Sequence, residues 1–465
     1  MQNKKKKFRL FDAVLMSVVV IMVVESVAPA AAIGPSQYFW WIFLLILFFI
    51  PYGLVSSELG TTYAGDGGLY DWVRKAFGPR WGGRLAWLYW VNYPIWMSSL
   101  AVLFVEVAEQ IFQLKFNSFA SILIQLIFIW TVVFVGNKPV SESKWIMNLA
   151  AFAKIFIILS LGLLGVYVAI TRGVANSFSI NNLLPTFNLS GLSNLSVIIF
   201  NFLGFEVVAT MSGDMDNPKK QIPQAIIYGG IMIAFFYLIS AFGIGVAIPT
   251  SRLSSSTGLI ESFILLIGKM NWFVILIGIF FLYNLISEMV SWALGVNYVA
   301  DYAAKDHSLP TIFGKEDSKG MPIGTGYLNG IVATILVIAA PLIPNQNVFW
   351  SFFSLNVIAL LLSYTMMFPA FWKLRQQDPN TERPFKIPGG RLFINLITWV
   401  PEILLILAVI LTSFPMNLSA SELSTKIPIL IGTLLTLAIG EIIVRLTEKN
   451  HSLKQKNLSF NNKKS

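Results

Sequence analysis

Three carboxylates and one amine, Glu25, Glu206, Glu288 and Lys154, stand inside stretches that are otherwise apolar enough for lipid. An ionised acid at the centre of a membrane helix costs about 2.5–3.5 kcal/mol on insertion scales, so such groups mark places where ions, protons or charged solutes are handled. Glu25 lies in VVVIMVVESVAPAAAIGP, residues 18–35, an apolar run that dissolves after the acid into Ala, Pro29 and Gly34. Pro and Gly free backbone groups that lipid cannot satisfy, and such backbone persists at membrane depth only when buried in protein or lining a watery cavity. Glu206 lies in SVIIFNFLGFEVVATMSGDMDNPKK with Asn201 and Gly204 close by, 181 residues after Glu25. Two interrupted spans at corresponding places in two halves are the pattern of an inverted-repeat transporter, whose solute binds between the halves.

Two other readings apply to the first stretch. Lys4 to Lys7, the apolar run Ala13 to Val24 and Ala28-Pro29-Ala30 have the order of a signal peptide. Glu25 fits badly in such a segment, and all that follows is membrane-like. The plainer alternative is a Pro-kinked helix holding a neutral, hydrogen-bonded Glu25.

The elements that must position these groups follow from composition. Of 465 residues, 56% are hydrophobic and 12% charged, and the mean hydropathy is +0.70. Soluble domains carry about 25% charged residues, so the chain reads as an all-α polytopic membrane protein. Windows of about 20 apolar residues occur at 11–33, 39–59, 84–108, 118–136, 145–170, 194–212, 224–248, 270–298, 326–343, 347–372, 393–414 and 427–446. These give twelve transmembrane helices: a first repeat over about 11–170, a second over about 194–372, and helices 11–12 over about 393–446. Tails at 1–10 and 447–465 complete the chain, the second expected to be disordered.

Lys115, Arg172, Arg252, Lys269 and Lys426 are the cations of one set of loops; apart from Lys154, all the others fall on the opposite side. That asymmetry places both termini in the cytoplasm. The net charge of +10 is therefore topological and points to no nucleic acid. With no cysteine, and with His307 and His451 in a loop and a tail, neither thiol chemistry nor a histidine metal centre is expected. No Walker loop or hydrolase triad is visible, Gly65–Gly68 reads as a turn, and no cofactor is called for. The reading is of a transporter, not an enzyme.

Four segments in order carry a family resemblance: SELG at 57–60 with GGLY and AFGPRWG; GFE at 204–206 with NPKK and IP; AAKDHSLP at 303–310; and RPFKIPGG at 383–390. With them the chain is similar to the amino acid–polyamine–organocation superfamily over essentially its whole length. The resemblance implies five-plus-five inverted helices, the first and sixth broken, plus two extra, alternating access to amino acids or amines, and a multi-pass place in a bacterial plasma membrane. FIPYGL and GPRWGG look closest to exchangers pairing an amino acid with its decarboxylation product, of glutamate/GABA and agmatine/putrescine type. The superfamily's usual Gly-Ser-Gly break is replaced here by Glu25-Ser26-Val27-Ala28-Pro29.

By resemblance, Glu206 is a proton or gating switch, and Lys154 takes the place of a sodium ion, tying span 5 to span 1. Trp292 resembles a tryptophan that stacks on guanidinium. Glu288 precedes it by one turn, on the same face, and an aromatic plane beside a carboxylate suits an organic cation. Substrate-binding residues are thus expected to be Glu25, Ser26, Ala28, Phe200, Gly204, Glu288 and Trp292, with Tyr93 a further wall. Glu106, Glu109, Glu402 and Glu441, near span ends, read as solvated or interfacial acids.

Three internal acids against one lysine leave an excess of negative sites that a visiting cation would balance. The expected function is therefore exchange of cationic amines, agmatine for putrescine. Alternatives are glutamate/GABA or tyrosine/tyramine exchange, or a proton-coupled amino acid permease. A sensor would need a signalling domain, and a channel has no use for paired broken helices. The expected partners are the small solute and the bilayer, with the oligomeric state, a homodimer included, left open.

Overall fold

A computed structural model of the chain describes residues 9–31, 33–63, 65, 67–185, 195–207, 215–252, 258–342 and 348–461. The basic start Lys4–Lys7, Asp66 of the glycine turn, and the sixth window before Leu195 and beyond Val207 lie outside the described residues. The helices in chain order are α1 Leu10–Ile21, α2 Val27–Ala31, α3 Gln37–Leu44, α4 Ile50–Thr62, α5 Leu69–Phe77, α6 Pro79–Phe112, α7 Ser118–Gly136, α8 Val140–Arg172 and α9 Ile180–Leu183. They continue as α10 Leu195–Phe200, α11 Pro218–Ala247, α12 Gly258–Ile267, α13 Trp272–Lys305, α14 Ile323–Ala339, α15 Val348–Tyr364, α16 Met367–Gln377, α17 Arg391–Ser413 and α18 Ala420–Asn461. Among the described residues the architecture is all-helical, and ten helical stretches are long and apolar enough to cross a membrane.

Local chemistry sets the helix ends. Asn117 and Asn271 cap α7 and α13, their side-chain oxygens accepting from the Ala120 and Val274 amides at 2.8 and 3.0 Å. Proline opens α6 and α11 where no amide donor is needed. Between α3 and α4 the chain makes one π turn, Leu45–Phe49, without leaving the span.

Lipid is as apolar as leucine, so helices in a bilayer associate through close packing and polar contacts. The α8–α11 crossing shows this: a Cβ on Gly165 would fall onto the Gly243 backbone, and only glycine admits that approach. At the centre, α6 packs on α13 and α15, while α1 lies against α11, α8 and α13.

Two expectations need correction. The first span does not come apart at Glu25 to Gly34. It breaks at Met22–Val23, makes one tight turn at Val24–Ser26, and resumes as α2 through Pro29. Pro29 is the third residue of α2, where its missing amide leaves no helical hydrogen bond unmade. Nor is the described part of the tail, residues 447–461, disordered. α18 runs to Asn461, since residues 441–457 hold no Gly or Pro and extend a helix already nucleated in the membrane. His451 on α18 stacks on His307, with ring centroids 4.2 Å apart, so the two histidines meet.

Candidate functional site

The first break strands the carbonyls of α1's last turn, and side chains from distant helices take them up. The Trp292 indole N–H donates to the Val20 carbonyl at 2.6 Å, and the Lys154 ammonium to that of Met22 at 2.6 Å. Tyr237 Oη donates to the Ile21 carbonyl at 3.3 Å and accepts from the Val23 amide at 2.7 Å. The Ser26 hydroxyl reaches the Val23 carbonyl at 2.7 Å. A gap that would be prohibitive in lipid is thus satisfied inside protein.

The second break runs from Asn201 to Phe205, with Gly204 at φ +114°, a conformation L residues rarely adopt. A Cβ there would also press on the Trp292 and Ile21 side chains, at 3.1 and 3.2 Å. The amides of Gly204 and Phe205 both donate to Tyr52 Oη, at 3.1 and 3.0 Å. That hydroxyl in turn donates to Glu206 Oε2, while Tyr89 Oη donates to Oε1 at 2.8 Å. One phenol from each break's surroundings, Tyr237 and Tyr52, therefore serves as both donor and acceptor.

The breaks touch through Ser26, whose hydroxyl lies 2.6 Å from Asn201 Oδ1. Glu25, next to it, is buried, and neither carboxylate oxygen takes up a hydrogen bond. Its neighbours include Lys154 and the Trp96 indole N–H, which approaches it short of full hydrogen-bond geometry. Trp96 stands edge-on to Trp292 and to Phe200, centroids 5.4 Å away in each case, and Phe200 meets Phe353 at 5.3 Å. A weakly engaged carboxylate beside Trp96, itself part of this aromatic cluster, can receive an organic cation through charge pairing and ring faces.

The remaining expected residues are placed as follows. Lys154, fully buried, bridges α8 to the first break and lies 3.2 Å from Glu288 Oε2. The counting of three acids against one base therefore changes: Glu288 is matched by Lys154, Glu206 is held by two phenols, and Glu25 is the acid left with no donor in full hydrogen-bond geometry. Glu288 and Trp292 share α13, but in this structure one faces Lys154 and the other the α1 backbone. Ala28 is buried on α2 where Gly258 of α12 packs, a Cβ on Gly258 coming within 2.8 Å of it. Tyr93 donates to the Met289 carbonyl at 2.7 Å. Glu402, expected to be solvated or interfacial, is buried at mid-length of α17, and Glu441 is bound by Arg84 at 2.8 and 3.0 Å.

A second polar centre escaped the sequence reading. Glu58, near the end of α4, accepts from both arms of Arg375 at 2.8 and 2.6 Å, from Arg383 at 3.0 Å and from the Ile387 amide at 2.8 Å. The segments SELG and RPFKIPGG meet in this knot. A buried-side acid facing two arginines after span 10 was the available signal.

Helices interrupted at two touching points, with buried charge between them, define a secondary transporter. The profile of the family described as "Amino acid permease" matches residues 8–439; the chain belongs to this family, within the amino acid–polyamine–organocation superfamily. It is 52% identical, over 96% of both chains, to a probable agmatine/putrescine antiporter of Lactococcus lactis. It is 24% identical to a glutamate/gamma-aminobutyrate antiporter of the same species, over 87% of this chain and 83% of that one. A probable polyamine transporter of Arabidopsis thaliana is also 24% identical, over 79% and 71% of the two chains.

Proposed function

We propose that the protein exchanges cationic amines, agmatine for putrescine, by alternating access across a cell membrane. The observation that carries this is the Glu25 carboxylate, buried at the first break with no donor in full hydrogen-bond geometry on either oxygen. A buried ionised acid so poorly paired is disfavoured by several kcal/mol, and an ammonium or guanidinium arriving beside it would supply the missing donors. An α-carboxylate arriving there would meet like charge. The name of the 52% identical relative supports the same substrate pair.

In this reading Glu25, Ser26 and the walls Trp96, Phe200 and Trp292 form the solute site. Gly204 allows the close approach of the second break, and Ala28 keeps α2 seated on α12. Lys154, with Glu288, fixes the first break in place of a metal ion, and Glu206 is the proton or gating group. The two interrupted spans together with the ten long ones make twelve, arranged as five plus five with two extra, both termini cytoplasmic.

Counterflow in proteoliposomes preloaded with putrescine tests the proposal. Uptake of labelled agmatine should be rapid and should require internal amine. Exchange of glutamate for GABA or of tyrosine for tyramine, with agmatine ignored, would overturn it.

A further inference from the structure

On the lipid-facing side of α4 and α11 lies a groove of about 520 Å³, lined almost wholly by carbon. The π turn forms its upper wall with Leu45 and Phe49, and Gly53 and Gly230 form its floor. Its rim carries Ile227, Ile231 and Phe235, exposed by 49%, 65% and 55%. Phe385, from the loop after α16, closes one end.

That end is basic. Lys219 and Lys220 precede the lining residues Ile226 and Ile227 by seven positions, two turns along the same helix face. Lys386 directly follows Phe385, and Lys219 reaches Glu382 of the same loop at 3.8 Å. Asp216 and Glu382 also share this end, but Lys220 and Lys386 are exposed and make no ion pair with the described residues. An apolar trough about a helix face long, ending in unpaired cations at the membrane boundary, matches a lipid with an anionic head.

We infer that the groove binds one acyl chain of an anionic phospholipid whose phosphate rests against Lys220 and Lys386. The site touches the transport machinery from behind. Phe49, on the groove wall, packs on Phe202 and Phe205 of the second break at 5.2 and 5.1 Å. Tyr52, one turn further along the span, holds the amides of that break. The bound chain props Phe49 against the break. The inference rests on the groove and its lysines and stands whichever solute is carried.

The test uses the full chain in nanodiscs containing phosphatidylglycerol or phosphatidylcholine with a photoactivatable group at the acyl terminus, followed by peptide mapping. Each lysine near an anionic surface adds about a factor of five, so the phosphatidylglycerol probe should label 227–238 about tenfold or more over the phosphatidylcholine probe. Lys220→Gln with Lys386→Gln should erase that preference while leaving the helices intact. Ala234→Trp, which fills the trough, should lower labelling by both lipids. Equal labelling by the two lipids in the parent, or labelling spread evenly onto exposed faces such as Ile127 and Phe134 of α7, would overturn the site. If Ala234→Trp fails to fold, the lysine pair alone decides the question.

Discussion

The ammonium of Lys154 lies 3.2 Å from Glu288 Oε2 and 2.6 Å from the Met22 carbonyl, so one cation joins α8, α13 and the broken first span. Both charged groups are fully buried. Removing one partner of such a pair strands the other, at about 3–5 kcal/mol, whereas removing both costs much less.

Lys154→Ala should therefore lower thermal stability and slow exchange, and adding Glu288→Gln should restore part of the loss. Melting curves on the four proteins of the cycle measure the coupling, expected at about 0.5–3 kcal/mol. Strict additivity would show that Lys154 and Glu288 are not energetically coupled.

Glu25→Gln keeps size and hydrogen bonding but loses charge. Bonds to ions are worth about 1.5–3 kcal/mol, which predicts roughly ten- to hundredfold weaker binding of agmatine and putrescine. Glutamate and tyrosine should lose nothing in the same competition assay. An unchanged amine affinity would make Glu25 a structural residue.

At the second break, Tyr52→Phe should be harmful beyond its one lost oxygen. The amides of Gly204 and Phe205 and the Oε2 atom of Glu206 all lose this partner, Tyr89 keeping Oε1, at about 1–3 kcal/mol for each buried group left unsatisfied. Glu206→Gln, by contrast, keeps the amides held and should flatten the pH dependence of exchange between pH 5 and 8. Retention of the parent profile, with normal protein levels, would remove Glu206 from the switch role.

Glu58→Gln should loosen the join between α4 and the loop at 383–390, where two arginines and an amide converge on that carboxylate. A fall in melting temperature equivalent to about 3–5 kcal/mol is expected, with amine affinity unaltered. Parent-like stability would show that the arginines find other acceptors.

The spans were legible because twenty apolar residues in a row have one physical meaning, and Asn201 and Gly204 announced the second break because glycine and a buried amide disrupt an apolar helix. The first break was placed three residues too late. Met22 and Val23 carry no local signal, and what opens the helix there is the reach of Lys154, Tyr237 and Trp292 from elsewhere. Tyr52, Tyr89, Tyr237 and Trp96 stayed hidden for a related reason. In a chain that is 14% aromatic, a phenol bound to backbone across 150 residues looks like any other core ring. The Glu58 knot was present as two recognisable segments, but nothing local told that they meet.

Tyr52 Oη accepts from two backbone amides and donates a hydrogen bond to Glu206, so the peptide geometry at Gly204–Phe205 and one carboxylate meet at the same oxygen. Thermodynamic reciprocity then applies: any displacement of those amides that alters how the Glu206 carboxylate is held is matched by an equal influence of that carboxylate on the displacement. Under the gating role proposed for Glu206, backbone and carboxylate are two handles on a single equilibrium.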